Sequence, residues 1–173
     1  MLTLLLLRHA KSSWDDPSLD DFDRPLAPRG AKAASLMGAY IERHKLKPDL
    51  VLSSAAVRTR ATLALVLAEW SGPAPGILYE DTLYLATPTV LLERLRRAKK
   101  EARRIMLLGH NPGLQAVALE LIGKGKRKSI AEIATKFPTA ALAVIEFDID
   151  TWSGSRPAAG TLALFTTPRG ASA

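Results

Sequence analysis

The sequence predicts an α/β fold: a three-layer α/β/α sandwich around a mostly parallel central sheet. Three observations carry that expectation. Short apolar runs of strand length alternate with stretches of helical period along the chain. The first run, Leu2–Leu7, is almost continuously apolar, as in a central strand buried on both faces. At 173 residues without an internal repeat or compositional break, residues 1–173 are expected to form one domain.

Taken in order, residues 2–7 are the first strand. The segment 12–30 follows, a polar connection rich in Asp and Pro with no helical or strand period, and connections of that length inside a domain are usually functional. From Ala31 to about Lys45, Ala33, Ala34, Met37, Tyr40 and Ile41 fall at helical spacing, and Pro48 closes the helix. Asp49–Leu52 is a second strand, with Ser53 and Ser54 expected to cap a helix running to about Trp70. Ile77–Tyr79 forms a short strand, and Thr87-Pro88 opens a helix through about Lys100. Arg104–Leu108 is the third strongly apolar strand, followed by GHNPG and a helix from about Pro112 to Leu121. Residues 123–129 read as a solvated loop rich in Gly and Lys. Ala140–Phe147 and Thr161–Phe165 complete the strands.

Composition excludes several classes. Hydrophobic residues make up 47% and charged residues 24%, ordinary for a globular protein, and the absence of cysteine excludes a disulfide scaffold. The run Leu4–Leu7 is too short for a secretory signal and its charges follow rather than precede it, and no apolar stretch approaches the ~20 residues that span a bilayer. A cytoplasmic protein without a membrane partner is expected. The net charge of +7 favours anionic partners. It is unevenly spread: Asp15, Asp16, Asp20, Asp21 and Asp23 crowd one segment, and seven basic residues between Arg94 and Arg104 another. That asymmetry argues against nucleic-acid binding.

In open α/β sheets, ligands bind beyond the carboxyl ends of the strands. Arg8 and His9 follow the first strand, Arg58 lies in the first turn after the second, and His110 sits two residues past the third. Singly, each has an ordinary explanation as a strand-end charge, a helix residue or a turn residue. Together, two guanidinium groups and two imidazoles at neighbouring strand ends suit a phosphoryl group. Arginine offers a planar cationic fork to phosphate oxygens, and a held histidine can present a neutral ring nitrogen to phosphorus. His44 lies at a helix C-terminus, where a cation suits the dipole. With three distant histidines and no cysteine, no metal site or cofactor is expected. The GKGKRK segment lacks the strand and spacing of a P-loop.

These residues carry a resemblance. LLLLRHAKSSW resembles the R-H-G signature of the histidine phosphatase superfamily, with Ala10 in place of glycine, and SSAAVRTRAT (53–62) resembles its S-x-x-x-R-x-x-x-T helix start. LLGHNPGL (107–114) is similar to its second histidine motif, and LYLATP (83–88) and FPTAALAVI (137–145) look most like the small SixA-type members. The resemblance implies a phosphoglycerate-mutase-like fold and a phosphatase that works through a covalent phosphohistidine. His9 would be the nucleophile. Arg8, Arg58 and His110 would bind the phosphate, Ser12 would lie near it, and Arg60 would point away. The expected substrate is a phosphohistidine on a signalling protein. A small phosphate ester, or phosphate recognition without catalysis, are the alternatives. Larger members place a glutamate acid where this chain has Leu85; Glu80 and Asp81 are the nearby carboxylates that could substitute.

Overall fold

The leucines of the first strand sort by parity. In the computed structural model, which describes residues 1–172, Leu2, Leu4 and Leu6 enter one apolar cluster while Leu5 and Leu7 enter another. Side chains alternate across a strand, so a run whose only polar residue before Arg8 is Thr3 must be covered on both faces. The strand β1 (Leu2–Arg8) accordingly lies fourth in a seven-stranded sheet.

The elements that follow are α1 (Pro28–Arg43), β2 (Leu50–Ser54), α2 (Val57–Ala68), β3 (Gly76–Glu80), α3 (Pro88–Arg96) and β4 (Arg104–Gly109). Then come α4 (Gly113–Leu121), β5 (Ile122–Gly125), α5 (Arg127–Thr135), β6 (Leu142–Phe147), β7 (Gly160–Thr166) and α6 (Pro168–Ala171). Strand order is β3-β2-β4-β1-β6-β7-β5. The sheet is mostly parallel: only β6 runs against its two neighbours, β1 and β7. The helices α3, α4 and α5 supply Leu91, Leu95, Val117, Leu121 and Ile133 to the cluster on one face. On the other face α1, α2 and α6 supply Met37, Ile41, Leu63, Val66 and Ala171. The α/β/α sandwich expected from the sequence is the fold observed. No helix among the described residues is long and apolar enough to cross a membrane.

Register sets up the site. Arg8 pairs with Gly109 across β1 and β4, and Ser53 pairs with Leu108 across β2 and β4. The carboxyl ends of three adjacent parallel strands therefore finish at one level.

Three local expectations are corrected. Ser53 and Ser54 do not cap α2; they are the last two residues of β2, fully buried, and α2 begins beyond them without a side-chain cap. The lysine-rich segment 123–129 is not one loop: it contains the end of β5 and the start of α5. The helix after Thr87 ends at Arg96 rather than near Lys100, although the Thr87 hydroxyl does accept from Val90 N–H as a cap should.

Gly113 opens α4 where the helix meets the segment before α3. A Cβ there would lie 1.9 Å from the backbone carbonyl oxygen of Ala86, so an alanine requires the backbone to move. Gly113→Ala is expected to lower stability by about 1–3 kcal/mol, seen as a reduced urea midpoint with an unchanged slope. At Gly154 the nearest heavy atom to a Cβ is 3.4 Å away, and Gly154→Ala should change stability by less than about 0.5 kcal/mol.

Candidate active site

The loop after β1 is pinned from three sides. Ala10 N–H donates to the Thr62 hydroxyl at 3.0 Å, and that hydroxyl donates to the Arg58 carbonyl at 2.7 Å. The Thr at the end of the S-x-x-x-R-x-x-x-T pattern thus ties the backbone beside His9 to α2. His9 N–H donates to the Gly109 carbonyl of β4, and Ala140 N–H reaches the carbonyls of both Arg8 and His9. Ala140 holds that position at a φ of 60°, a left-handed conformation that costs a non-glycine residue energy. Ala10, standing where the family pattern has glycine, has no positive φ, so the backbone there does not require glycine.

The His9 ring is buried, and its Nδ1–H donates to the Ala10 carbonyl at 2.7 Å. That bond places the proton on Nδ1 and leaves the lone pair on Nε2. Burial first, then the cations Arg58 and Arg8, push its pKa down to about 4 against the opposing backbone bond. The ring is therefore neutral at neutral pH. His110 lies beside it with ring centroids 5.2 Å apart, and its pKa is pushed down to about 3 by burial, His9 and Arg58.

Arg8 donates from Nη1 to the Phe137 carbonyl at 3.0 Å, while its Nε is buried with no acceptor. Burial, and then Arg58, lower its pKa from the usual value. Arg58 is 5% exposed. Its Nη2 lies 3.3 Å from His110 Nδ1, and Ser54 Oγ lies 2.8 Å from His110 Nε2. Arg8, His9, Arg58 and His110, four residues singled out by sequence, do converge. They line one cleft of about 270 Å³. Ser12 lines it too, its Oγ accepting from Arg24 Nη2. Arg60 points elsewhere, donating to the Ala55 carbonyl and lying over the Tyr79 ring. A larger groove between α5, β7 and α6 contains none of the four.

Of the lining residues that sequence reasoning did not single out, three that shape the site lie in the segment 12–30: Trp14, Asp21 and Arg24. Arg24 is buried, stacks on Trp14 and donates to the Ser13 carbonyl. Trp14 is otherwise exposed at the cleft mouth. Asp21 is the cleft's one lining carboxylate among Arg8, Lys11, Arg24 and Arg58. Its Oδ2 accepts from Arg58 Nη2 at 2.9 Å and from the Tyr84 hydroxyl, and its carbonyl accepts from Arg58 Nη1 at 2.6 Å. The Tyr84 bond, with help from Arg58, holds its pKa below the usual carboxylate value. The acid candidates Glu80 and Asp81 do not line the cleft: Glu80 is held by Arg94 Nε at 2.8 Å. Leu85 does line it, half exposed and at a φ of 49°. Among the described residues no group of three or more His, Cys, Asp or Glu is placed to hold a metal ion.

Relatives with this fold are known. The family model of the histidine phosphatase superfamily (branch 1) matches residues 4–80. A protein of Agrobacterium tumefaciens assigned as the phosphohistidine phosphatase SixA shares 32% identity with a TM-score of 0.81, over 96% of this chain and 98% of its own. A second assigned SixA, from Nakamurella multipartitia, shares 28% identity with a TM-score of 0.82 over 96% of each chain. An uncharacterized protein of Mycobacterium tuberculosis is 35% identical over 165 residues, 94% of this chain and 100% of its own length. The fold, the ordered motifs and these near-full-length similarities agree, and the chain belongs to the histidine phosphatase superfamily, with a SixA-type fold.

Proposed function

We propose that this chain hydrolyses phosphohistidine on a protein by passing the phosphoryl group through His9. The observation that carries the reading is the His9 ring, neutral and buried, with its proton committed to the Ala10 carbonyl and Nε2 left as the nucleophilic nitrogen. Nε2 attacks phosphorus, a new N–P bond forms, and the N–P bond to the substrate imidazole breaks as that imidazole takes up a proton. Water then attacks the phosphoenzyme, and the His9 N–P bond breaks to release phosphate.

Arg8 and Arg58 bind the phosphoryl oxygens. The buried, unpartnered Nε of Arg8 is a donor that an anion would satisfy. His110 completes the set, stabilising charge on an oxygen as it develops. Ser12 and Arg24 bound the same seat, Ser12 accepting a hydrogen bond from Arg24.

Asp21 occupies Arg58 between turnovers. An arriving phosphoryl dianion competes for that guanidinium, and once separated from it Asp21 faces a like charge, which raises its pKa. A carboxylate so displaced can hand a proton to the leaving group and later accept one from water. Phosphohistidine depends less on that acid than an alkyl phosphate does, because imidazole leaves readily once protonated. The similarity to assigned SixA proteins favours the same substrate class.

Turnover of a phosphohistidine protein should exceed that of sugar or nucleotide monophosphates by at least tenfold in kcat/KM. Equal or inverted rates would assign the site to small phosphate esters. Asp21→Asn is expected to reduce turnover of an alkyl phosphate about 100-fold and of phosphohistidine by less than tenfold, while Glu80→Gln leaves both within about twofold.

The pH profile follows from His9. Its lone pair is lost on protonation, and because the pKa is depressed, activity persists as pH falls through 6.5 and is lost as pH falls through about 4. In kcat/KM, corrected for ionisation of the substrate, the acid limb should centre near pH 4. A limb at pH 6.5 would contradict a buried neutral nucleophile.

A further inference from the structure

Ser54 makes more contacts than the end of a strand requires. It is fully buried, and its Oγ lies between two nitrogens. Ala56 N–H donates to it at 3.2 Å, and His110 Nε2 lies 2.8 Å away. Its carbonyl is engaged separately, accepting from the hydroxyls of Ser53 at 2.9 Å and Thr59 at 2.7 Å.

A buried hydroxyl has one proton and needs an acceptor for it. The Ala56 nitrogen cannot accept, so of the two groups on Oγ only His110 Nε2 can. The imidazole then carries its single proton on Nδ1, the nitrogen that faces Arg58 Nη2 at 3.3 Å. Arg58 Nη2 can only donate, so in this tautomer the 3.3 Å approach sets two N–H donors side by side without a bond between them, and an anionic oxygen accepting from both would relieve it.

We infer that Ser54 is a positioning residue whose hydroxyl donates to Nε2 of His110, fixing the tautomer in which the ring offers Nδ1–H to a phosphoryl oxygen beside Arg58. The opposite tautomer strands the Ser54 proton and turns Nδ1 into an acceptor for Arg58. In that state the ring repels an anionic oxygen. The groups around the ring are His9, Arg58, Arg8, Asp21 and, edge-on at 5.3 Å, Tyr84. Burial and the neighbouring cations keep the ring neutral, so the position of one proton decides whether it binds or repels.

The inference rests on the proposed function, in which a phosphoryl oxygen meets His110. Histidine labelled with ¹⁵N reports the tautomer directly, and orthovanadate serves as the phosphate probe. The wild-type His110 is expected as the Nδ1–H form. Ser54→Ala should move it toward the Nε2–H form, weaken orthovanadate inhibition about tenfold and lower kcat/KM alongside. Ser54→Thr, which keeps the hydroxyl, should restore both to within about threefold.

A wild-type spectrum in the Nε2–H form would overturn the inference whether or not Ser54→Ala folds. So would a folded Ser54→Ala with unchanged orthovanadate inhibition. His110→Ala separates the two levels: if it too leaves orthovanadate inhibition unchanged, the site reading itself fails. If it weakens inhibition while Ser54→Ala does not, only the role of Ser54 fails.

Discussion

A single hydrogen bond, from His9 Nδ1–H to the carbonyl of Ala10, decides what the site can do. It selects the tautomer, orients the ring and leaves Nε2 as the free nitrogen. A bond between adjacent residues is only as firm as the backbone that carries it, and much of the surrounding structure serves that backbone. Thr62 on α2 holds Ala10, Gly109 at the end of β4 holds His9, and Ala140 accepts an unfavourable φ to hold both Arg8 and His9. These anchors come from α2, β4 and the segment before β6. The alternation of leucines in β1, which fastens the strand to both apolar clusters, is the other end of the same constraint.

Electrostatics then supplies the chemistry. Burial disfavours a charged imidazole, and the arginines add to that effect, so both histidines stay neutral where an exposed histidine would titrate. The same arginines need an anion. Between turnovers part of that need is met by Asp21, which is bonded to Arg58 and Tyr84. Its attachment is adjustable, because it sits on a connection outside the sheet and remains half exposed. In the proposed mechanism the cations on strand and helix ends exchange Asp21, which opens a short 3-10 turn in the segment 12–30, for a phosphoryl group.

How much of this was legible in the sequence depended on whether a residue's position was dictated locally. Arg8, His9 and His110 lie at or just beyond strand ends and Arg58 in a helix's first turn, so apolar periodicity located them. Asp21, Arg24 and Trp14 lie in a segment without period, and nothing local shows that this segment folds back over the strand ends. One signal was present: Arg24 sits within an aspartate-rich run, and a buried arginine there needs acceptors, which Ser12 and Ser13 provide. Ser53 and Ser54 read as caps because serine before a helix usually is one, but the parallel pairing of β2 extends two residues further and buries them. The start of α5 was hidden by lysines, whose charges face solvent and obscure the amphipathic pattern. Glu80 is near the family's acid position in sequence and could equally be a solvated loop carboxylate; the structure shows that Arg94 holds it.

The mechanism turns on which nitrogen carries the phosphoryl group. Wild-type protein mixed briefly with a labelled phosphodonor and quenched in alkali, which preserves phosphohistidine, can be mapped by mass spectrometry and ³¹P NMR. Because Nδ1 of His9 is committed to the Ala10 carbonyl, acid-labile label is expected on Nε2 of His9 and none in His9→Ala. Label on Nδ1, label on His110, or no phosphoenzyme with any donor would contradict it.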